Sequence, residues 1–235
     1  MFSTQAGTEP ARCTLSREKA AAIVRDFRDT YLRLAGDVRE DLAAELRHVV
    51  AELDAIDFSV ADASLLAPSG HPVAARFAML ANPTAAASSG NTGPGPCPRD
   101  EAAARLLALV QPWLGALPWR YSYDEKASPP GLGRRMAWAE LVGPIAPFRS
   151  EKVCFGLTAI GPGLLYPAHR HPATETYYVL HGDALWTAAG VPLTHRPGAL
   201  ILHPPNIHHS MQTTATPLLA AYTWSGDVHT LSSYC

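Results

Sequence analysis

The sequence predicts a mainly β protein: a jelly-roll-like barrel over residues 117–235, preceded by an α-helical N-terminal region over residues 1–116. Three observations predict it. Apolar residues recur at spacings of three and four through the first sixty residues and again near residues 100–114, the period of a helix with one buried face. From Trp119 onward short β-branched and aromatic runs punctuated by Pro and Gly take over, as in small barrels. A chain of 235 residues without internal repeat can bury one sizeable core.

Taken in order, Ser16 opens a first helix in which Ile23, Val24, Phe27, Tyr31 and Leu34 share a face and which Gly36 ends. Asp37, three residues before Glu40, reads as the cap of a second helix running to about Ile56, with Leu42, Leu46, Val49, Val50 and Leu53 on one side. These helices carry no convergent chemistry and read as scaffold or as the surface of a homodimer. A third short helix is expected over 73–80. The stretch 82–98, rich in Ala, Ser, Gly and Pro, reads as a flexible linker. Helical spacing returns over 100–114, where Pro112 should stop or bend the helix. The β runs are 136–142, 153–160, 175–180, 184–187, 199–202 and 218–223.

Composition narrows the partners. With 19 basic and 21 acidic side chains the net charge is −2, and no basic face for nucleic acid is evident. No stretch of 18 apolar residues implies a membrane span. The opening residues lack a charged segment followed by an apolar run, so a cytoplasmic location is expected. Cys13, Cys97, Cys154 and Cys235 show no CxxC spacing and read as free thiols in a reducing compartment.

One signature stands out. Gly163 is followed after five residues by His169-Arg170-His171, after three more by Glu175, and after six more by Gly182. A second block runs from Gly198 through Pro204 to His209. Alternate residues on a strand share a face, so His169 and His171 can aim at one point. The bend at Pro172, Ala173 and Thr174 should return the chain so that Glu175 lies opposite the pair. If Glu175 faces inward, so do Tyr177 and Val179, while Tyr178 and Leu180 face away. Imidazole with carboxylate suits one divalent transition metal ion (Zn, Fe, Mn, Co or Ni), and sequence does not rank these. Block spacing favours His209 over His208, which should point the opposite way. His181, His195, His203 and His229 read as solvated or as neighbours of the ligands.

These residues resemble the cupin superfamily. The first block reproduces its motif G(X)5HXH(X)3E(X)6G in full, and the second reproduces G(X)5PXG(X)2H(X)3N with Asn206 in place of Gly and Thr213 in place of Asn. Asn tolerates the left-handed conformation that Gly supplies. Within the superfamily, the stretches 138–148, 166–178, 201–209 and 219–226 are similar to the cupin-type dimethylsulfoniopropionate (DMSP) lyases, and the likeness spans roughly residues 117 to 228.

That resemblance implies a C-terminal cupin barrel in which His169, His171, Glu175 and His209 bind the metal and Tyr177 is the catalytic base. It also implies a substrate pocket lined by Tyr166 and Trp224; Trp186 and Tyr222, which the resemblance does not match, are candidates behind them or core packing. The implied reaction is β-elimination of a small-molecule substrate, giving dimethyl sulfide and acrylate. Aromatic faces suit a sulfonium, since ring quadrupoles attract cations by ~0.5–2 kcal/mol each. An Fe-dependent cupin dioxygenase would use the same four ligands, and a non-catalytic cupin binding module would use the pocket alone.

Overall fold

A computed structural model describes residues 14–73, 77, 98–123 and 128–235. Three helices, α1 (Arg17–Leu34), α2 (Glu40–Asp54) and α3 (Pro98–Val110), precede eleven strands among these residues. The strands are β1 (Met136–Gly143), β2 (Phe148–Arg149), β3 (Val153–Ile160), β4 (Leu165–Arg170), β5 (Thr174–His181), β6 (Ala184–Ala188), β7 (Val191–His195), β8 (Leu200–His203), β9 (His209–Thr213), β10 (Leu218–Ser225) and β11 (Ser233–Tyr234). They form a six-stranded sheet in the order β2-β1-β3-β10-β5-β8 and a five-stranded sheet in the order β11-β4-β9-β6-β7. Every pairing is antiparallel except β1 with β2. This is the mainly β, jelly-roll-like barrel with N-terminal helices that the sequence predicts. No helix of the described residues is long and apolar enough to cross a membrane.

The helices form for local reasons and persist because of what they bury. Ser16 caps α1, its hydroxyl accepting from the Lys19 N–H at 3.2 Å. The apolar stripe Ile23, Val24, Phe27, Tyr31 and Leu34 is buried as its spacing requires. α2 departs from expectation: it begins at Glu40 with Arg39 at the cap position, which leaves Asp37 two residues too early to cap it, its N–H bonding back to Leu34 in the turn that closes α1. The helix instead begins after an extended Arg39 with no side-chain cap, and acidic Glu40 and Asp41 occupy its positive end. α3 starts at Pro98 and gives way at Val110 to a 3-10 turn over Gln111–Trp113. Pro112 withholds the N–H that another α-helical turn would need. Of the helix expected over 73–80, Val73 and Phe77 are described and both are buried; the remainder, and the linker apart from its last residue, lie outside the described residues.

The six-stranded sheet is buried on both faces, which is why β3 has no exposed position. Its outer face presents Ala137, Ala139, Phe155, Leu157, Ala159, Tyr178, Leu180, Leu219 and Ala221 to the helices in one continuous core. The Phe27 and Phe155 rings lie 5.1 Å apart, and Tyr31 meets Tyr178 edge-on at 6.3 Å. The inner face turns Met136, Trp138, Cys154, Tyr177, Val179, Ala220 and Tyr222 toward Tyr166, Trp186 and Met211 of the five-stranded sheet. Tyr177 inward with Tyr178 and Leu180 outward is the alternation read from the sequence.

The five-stranded sheet leaves its other face to solvent, with Leu165 and Leu185 exposed. β2, β7 and β11 escape sequence reading because they are short or, for β7, an exposed edge carrying Pro192, where a missing N–H does no harm. Two motif glycines are obligatory. Gly182 (φ +78°) and Gly198 (φ +87°) take left-handed turns, and a Cβ there would meet the Pro217 carbonyl at 2.1 Å and the Asp100 carboxylate at 2.3 Å.

Candidate metal centre and its cavity

The bend at Pro172–Thr174 does not make a hairpin. β4 pairs with β9 and β11, β5 with β10 and β8, so the chain crosses between sheets there. Glu175 therefore reaches the histidines across the barrel interior instead of along a ladder. The outcome for the donors is still convergence. His169 lies opposite His209 in the β4–β9 pair, their rings 4.0 Å apart, and His171 sits just beyond β4, its ring 5.2 Å from that of His209. All four are buried, whereas His208 is exposed.

Each of the three histidines is held by its Nδ1 to a backbone carbonyl two residues away: His169 to Pro167 at 2.8 Å, His171 to Ala173 at 3.0 Å, and His209 to Ile207 at 3.0 Å. A proton on each Nδ1 satisfies these carbonyls and leaves Nε2 with a lone pair, the arrangement that orients imidazoles toward a metal. Glu175 occupies the centre. Its Oε2 lies 3.1 Å from His171 Nε2, 3.2 Å from His209 Nε2 and 3.2 Å from His203 Nδ1, while its Oε1 accepts from Trp224 Nε1 at 2.8 Å.

The donor set fits a divalent ion. The ligand atoms of His169, His171 and His209 lie within 4.8 Å of one another, as do those of Glu175, His203 and His209. Bonds of about 2.1 Å place adjacent donors roughly 3.0–3.4 Å apart, the range of the contacts around Glu175. His209 Nε2 is buried and makes no well-aligned hydrogen bond, its nearest polar neighbour being Glu175 Oε2 at 3.2 Å, a cost that a bound cation removes. Burial alone would raise the Glu175 carboxyl, but the charge of His171 and the contacts from His171, His203 and His209 hold it well below the usual carboxylate range. His169 is pushed down to about 3 by burial and by its neighbour His209, which keeps its ring neutral and its Nε2 free to donate a lone pair.

His169 and Glu175 open into a cavity of about 270 Å³, just under the size of drug-sized pockets. Tyr123, Trp138, Tyr166, Tyr177, Tyr222 and Trp224 line it. Tyr166 stacks on the His169 ring at 4.0 Å and shares a hydrogen bond with the Tyr123 hydroxyl. Tyr177 is buried with its hydroxyl in contact with Glu175 and Thr158, and burial followed by the Glu175 charge raises it well above the ordinary phenol range. Trp186 backs the wall, edge-on to Tyr177 at 5.5 Å.

The far end of the cavity is polar. Arg120 donates to Glu140 Oε1 at 2.8 Å, and Tyr222 donates to Glu140 Oε2 at 3.1 Å. The Tyr222 ring crosses β3 where Gly156 leaves room, a Cβ there falling 2.8 Å from the ring.

His203, Glu140, Arg120 and Tyr123 were not among the predicted site residues. Two of them were legible: alternation puts Glu140 in line with Met136 and Trp138, and His203 with Ile201. His203 sits directly across the β5–β8 pair from Glu175 and is fully buried, excluding the solvated option. Of the other histidines, His229 pairs with Glu151 at 3.0 Å and lines the exposed side of the cavity, and His195 lies edge-on to Trp186. The two departures from the second motif are accommodated. Asn206 takes φ +62°, and the Thr213 hydroxyl donates to Gly161 O and accepts from Leu164 N at 2.7 and 2.8 Å.

Comparison with known proteins gives a consistent picture. Residues 94–220 match the family model of DMSP lyases. Over 129 residues the chain is 34% identical to DddL of Cereibacter sphaeroides, covering 54% of this chain and 53% of that protein. Over 113 residues it is 33% identical to the DMSP lyase DddQ of Ruegeria pomeroyi, covering 48% and 56%. The chain thus spans about half the length of the curated relatives it matches. The crystal structure of DddQ from Ruegeria pomeroyi superposes with a TM-score of 0.68 at 23% identity, covering 93% of this chain and 97% of that one, a likeness of fold. The family match begins four residues before α3, extends into β10 and takes in Tyr166, His169, His171, Glu175, Tyr177 and His209; on that match, the chain belongs to the DMSP lyase family.

Proposed function

We propose that the protein is a metal-dependent DMSP lyase, cleaving dimethylsulfoniopropionate by β-elimination into dimethyl sulfide and acrylate. One observation carries the reading: a buried three-histidine, one-glutamate cluster opens through His169 and Glu175 into a small aromatic cavity that also holds the Tyr177 hydroxyl. His169, His171, Glu175 and His209 would hold the ion, a divalent transition metal. When bound it supplies Lewis acidity for the substrate carboxylate and positive charge that favours the Tyr177 phenolate.

The chain does the rest. Tyr177 takes the proton from the carbon beside the carboxylate; the electrons of that C–H bond form the C=C bond of acrylate, and the C–S electron pair leaves on sulfur as neutral dimethyl sulfide. Tyr177 then returns its proton to solvent. Tyr166 and Trp224 present ring faces to the sulfonium, and the buried walls keep water from competing for the base.

The test is direct. Purified, metal-loaded protein incubated with DMSP should release dimethyl sulfide into the headspace and acrylate into solution. Absence of both, with metal bound, overturns the assignment.

A further inference from the structure

Besides the Tyr177 hydroxyl, two residues grip Glu175 from outside the ligand set. Trp224 donates its indole N–H to Oε1 at 2.8 Å, and its ring lies 4.3 Å from that of His171. His203 presents Nδ1 to Oε2 at 3.2 Å, and its ring lies tilted against that of His209 with centroids 4.0 Å apart. His203 differs from the ligand histidines in one respect. Their Nδ1 atoms are tied to backbone carbonyls and their Nε2 atoms face the centre; His203 turns Nδ1 itself to Glu175, and its Nε2 is buried without a partner. A proton on Nδ1 then has one acceptor in reach, the carboxylate.

We infer that Trp224 and His203 are positioning residues forming a two-point clamp on Glu175, one oxygen each, which fixes the carboxylate facing the Nε2 atoms of His171 and His209. The inference rests on the metal reading above and adds a role for Trp224 besides its cation-facing ring. Hydrogen bonds to a buried carboxylate are of the strong, charge-assisted kind, and loss of a partner that orients a ligand costs roughly 10- to 100-fold in metal affinity. Without the clamp Glu175 can rotate about its terminal torsion, which is broad and two-fold, and lose register with the histidines.

The experiment separates the indole N–H from the indole face. Full-length protein stripped by a chelator is titrated with Co2+, followed by visible absorption and by chelator competition, for wild type, Trp224→Phe, His203→Leu and His203→Asn. Trp224→Phe keeps an aromatic face and loses the donor; His203→Asn keeps an amide donor near the Nδ1 position; His203→Leu loses it.

The clamp predicts that Trp224→Phe and His203→Leu each weaken Co2+ binding roughly 10- to 100-fold with altered Co2+ absorption bands, while His203→Asn stays near wild type. Thermal melts of the stripped proteins check that each variant is folded. Wild-type uptake with Trp224→Phe binding Co2+ as tightly as wild type overturns the clamp and leaves Trp224 as a cation-facing ring alone. Equal loss in His203→Leu and His203→Asn overturns the donor role of His203. No Co2+ uptake by wild type overturns the metal reading itself and the clamp with it.

Discussion

The two faces of the six-stranded sheet are made by the same strands and do opposite work. Facing the helices, Phe155, Leu157, Tyr178, Leu180, Leu219 and Ala221 form an apolar core. One residue along, the inner face carries Cys154, Thr158, Glu175, Tyr177, Tyr222 and Trp224. Burying carboxylates and hydroxyls costs free energy unless each is hydrogen-bonded, and the centre contains a buried ring nitrogen, His203 Nε2, with no partner. The helix-covered face offsets that cost by removing apolar area from water at about 25 cal/mol per Å². The five-stranded sheet, with its outer face in solvent, has no such reserve. The candidate site joins the two: Glu175, Tyr177 and Trp224 stand on the supported sheet, and Tyr166, His169 and His209 on the sheet exposed behind.

The largest expected effects test whether the faces are separable. Tyr177→Phe should lower turnover by roughly 10²- to 10⁴-fold, the usual contribution of a positioned base, with Co2+ uptake and thermal stability near wild type. Loss of turnover with equal loss of metal would assign Tyr177 to the centre and not to proton transfer. On the outer face, Phe27→Ala removes the ring that meets Phe155 at 5.1 Å and should destabilise the fold by about 3–5 kcal/mol, read by urea titration. Activity per folded molecule should be retained. A Phe27→Ala protein that is stable but inactive would mean that helix packing shapes the cavity directly.

Most of the candidate site was legible because its His and Glu donors recur at motif spacing and strands impose alternation. His169, His171, Glu175 and His209 follow from the motif blocks, and the opposed directions of Tyr177 and Tyr178 follow from period two. What the sequence misled on was pairing. A Pro-containing bend between two strand-like runs reads locally as a hairpin, yet the chain crosses between sheets there, since hydrogen-bond partners for β4 and β5 come from segments far along the chain. Tyr123 carries no local signal at all, because its place in the cavity depends on how the chain reaches the barrel. The Asp37 cap failed because the turn that closes α1 runs on through Asp37, so α2 starts only at Glu40. Local chemistry was readable, and long-range closure was not.

A smaller effect probes the unsupported sheet. Thr213 ties β9 to the turn before β4 by donating to Gly161 O and accepting from Leu164 N. Thr213→Val keeps the shape and strands a buried N–H, costing about 1–3 kcal/mol. If the five-stranded sheet lacks the reserve of its partner, amide exchange should quicken in β4 and β9 before it does in β3 and β10. Uniform quickening across both sheets would erase the distinction between them.

The smallest effect is one of pH and concerns the polar end of the inner face. Burial raises the Glu140 carboxyl above the ordinary carboxylate range, with the Arg120 charge opposing and not cancelling the rise. A folded-state value above the unfolded one means that the native chain binds the proton more tightly, so the associated stability is fully present below the ordinary carboxylate value and is lost as pH rises through the folded value. Glu140→Gln cannot titrate, and its amide can still accept from Tyr222. The difference in unfolding free energy, wild type minus Glu140→Gln, should therefore decline as pH is raised from about 4 toward 7 and then level off. A difference that grows over that window would show that Arg120 dominates, and that this end of the cavity holds a stabilising ion pair instead of a carboxyl strained by burial.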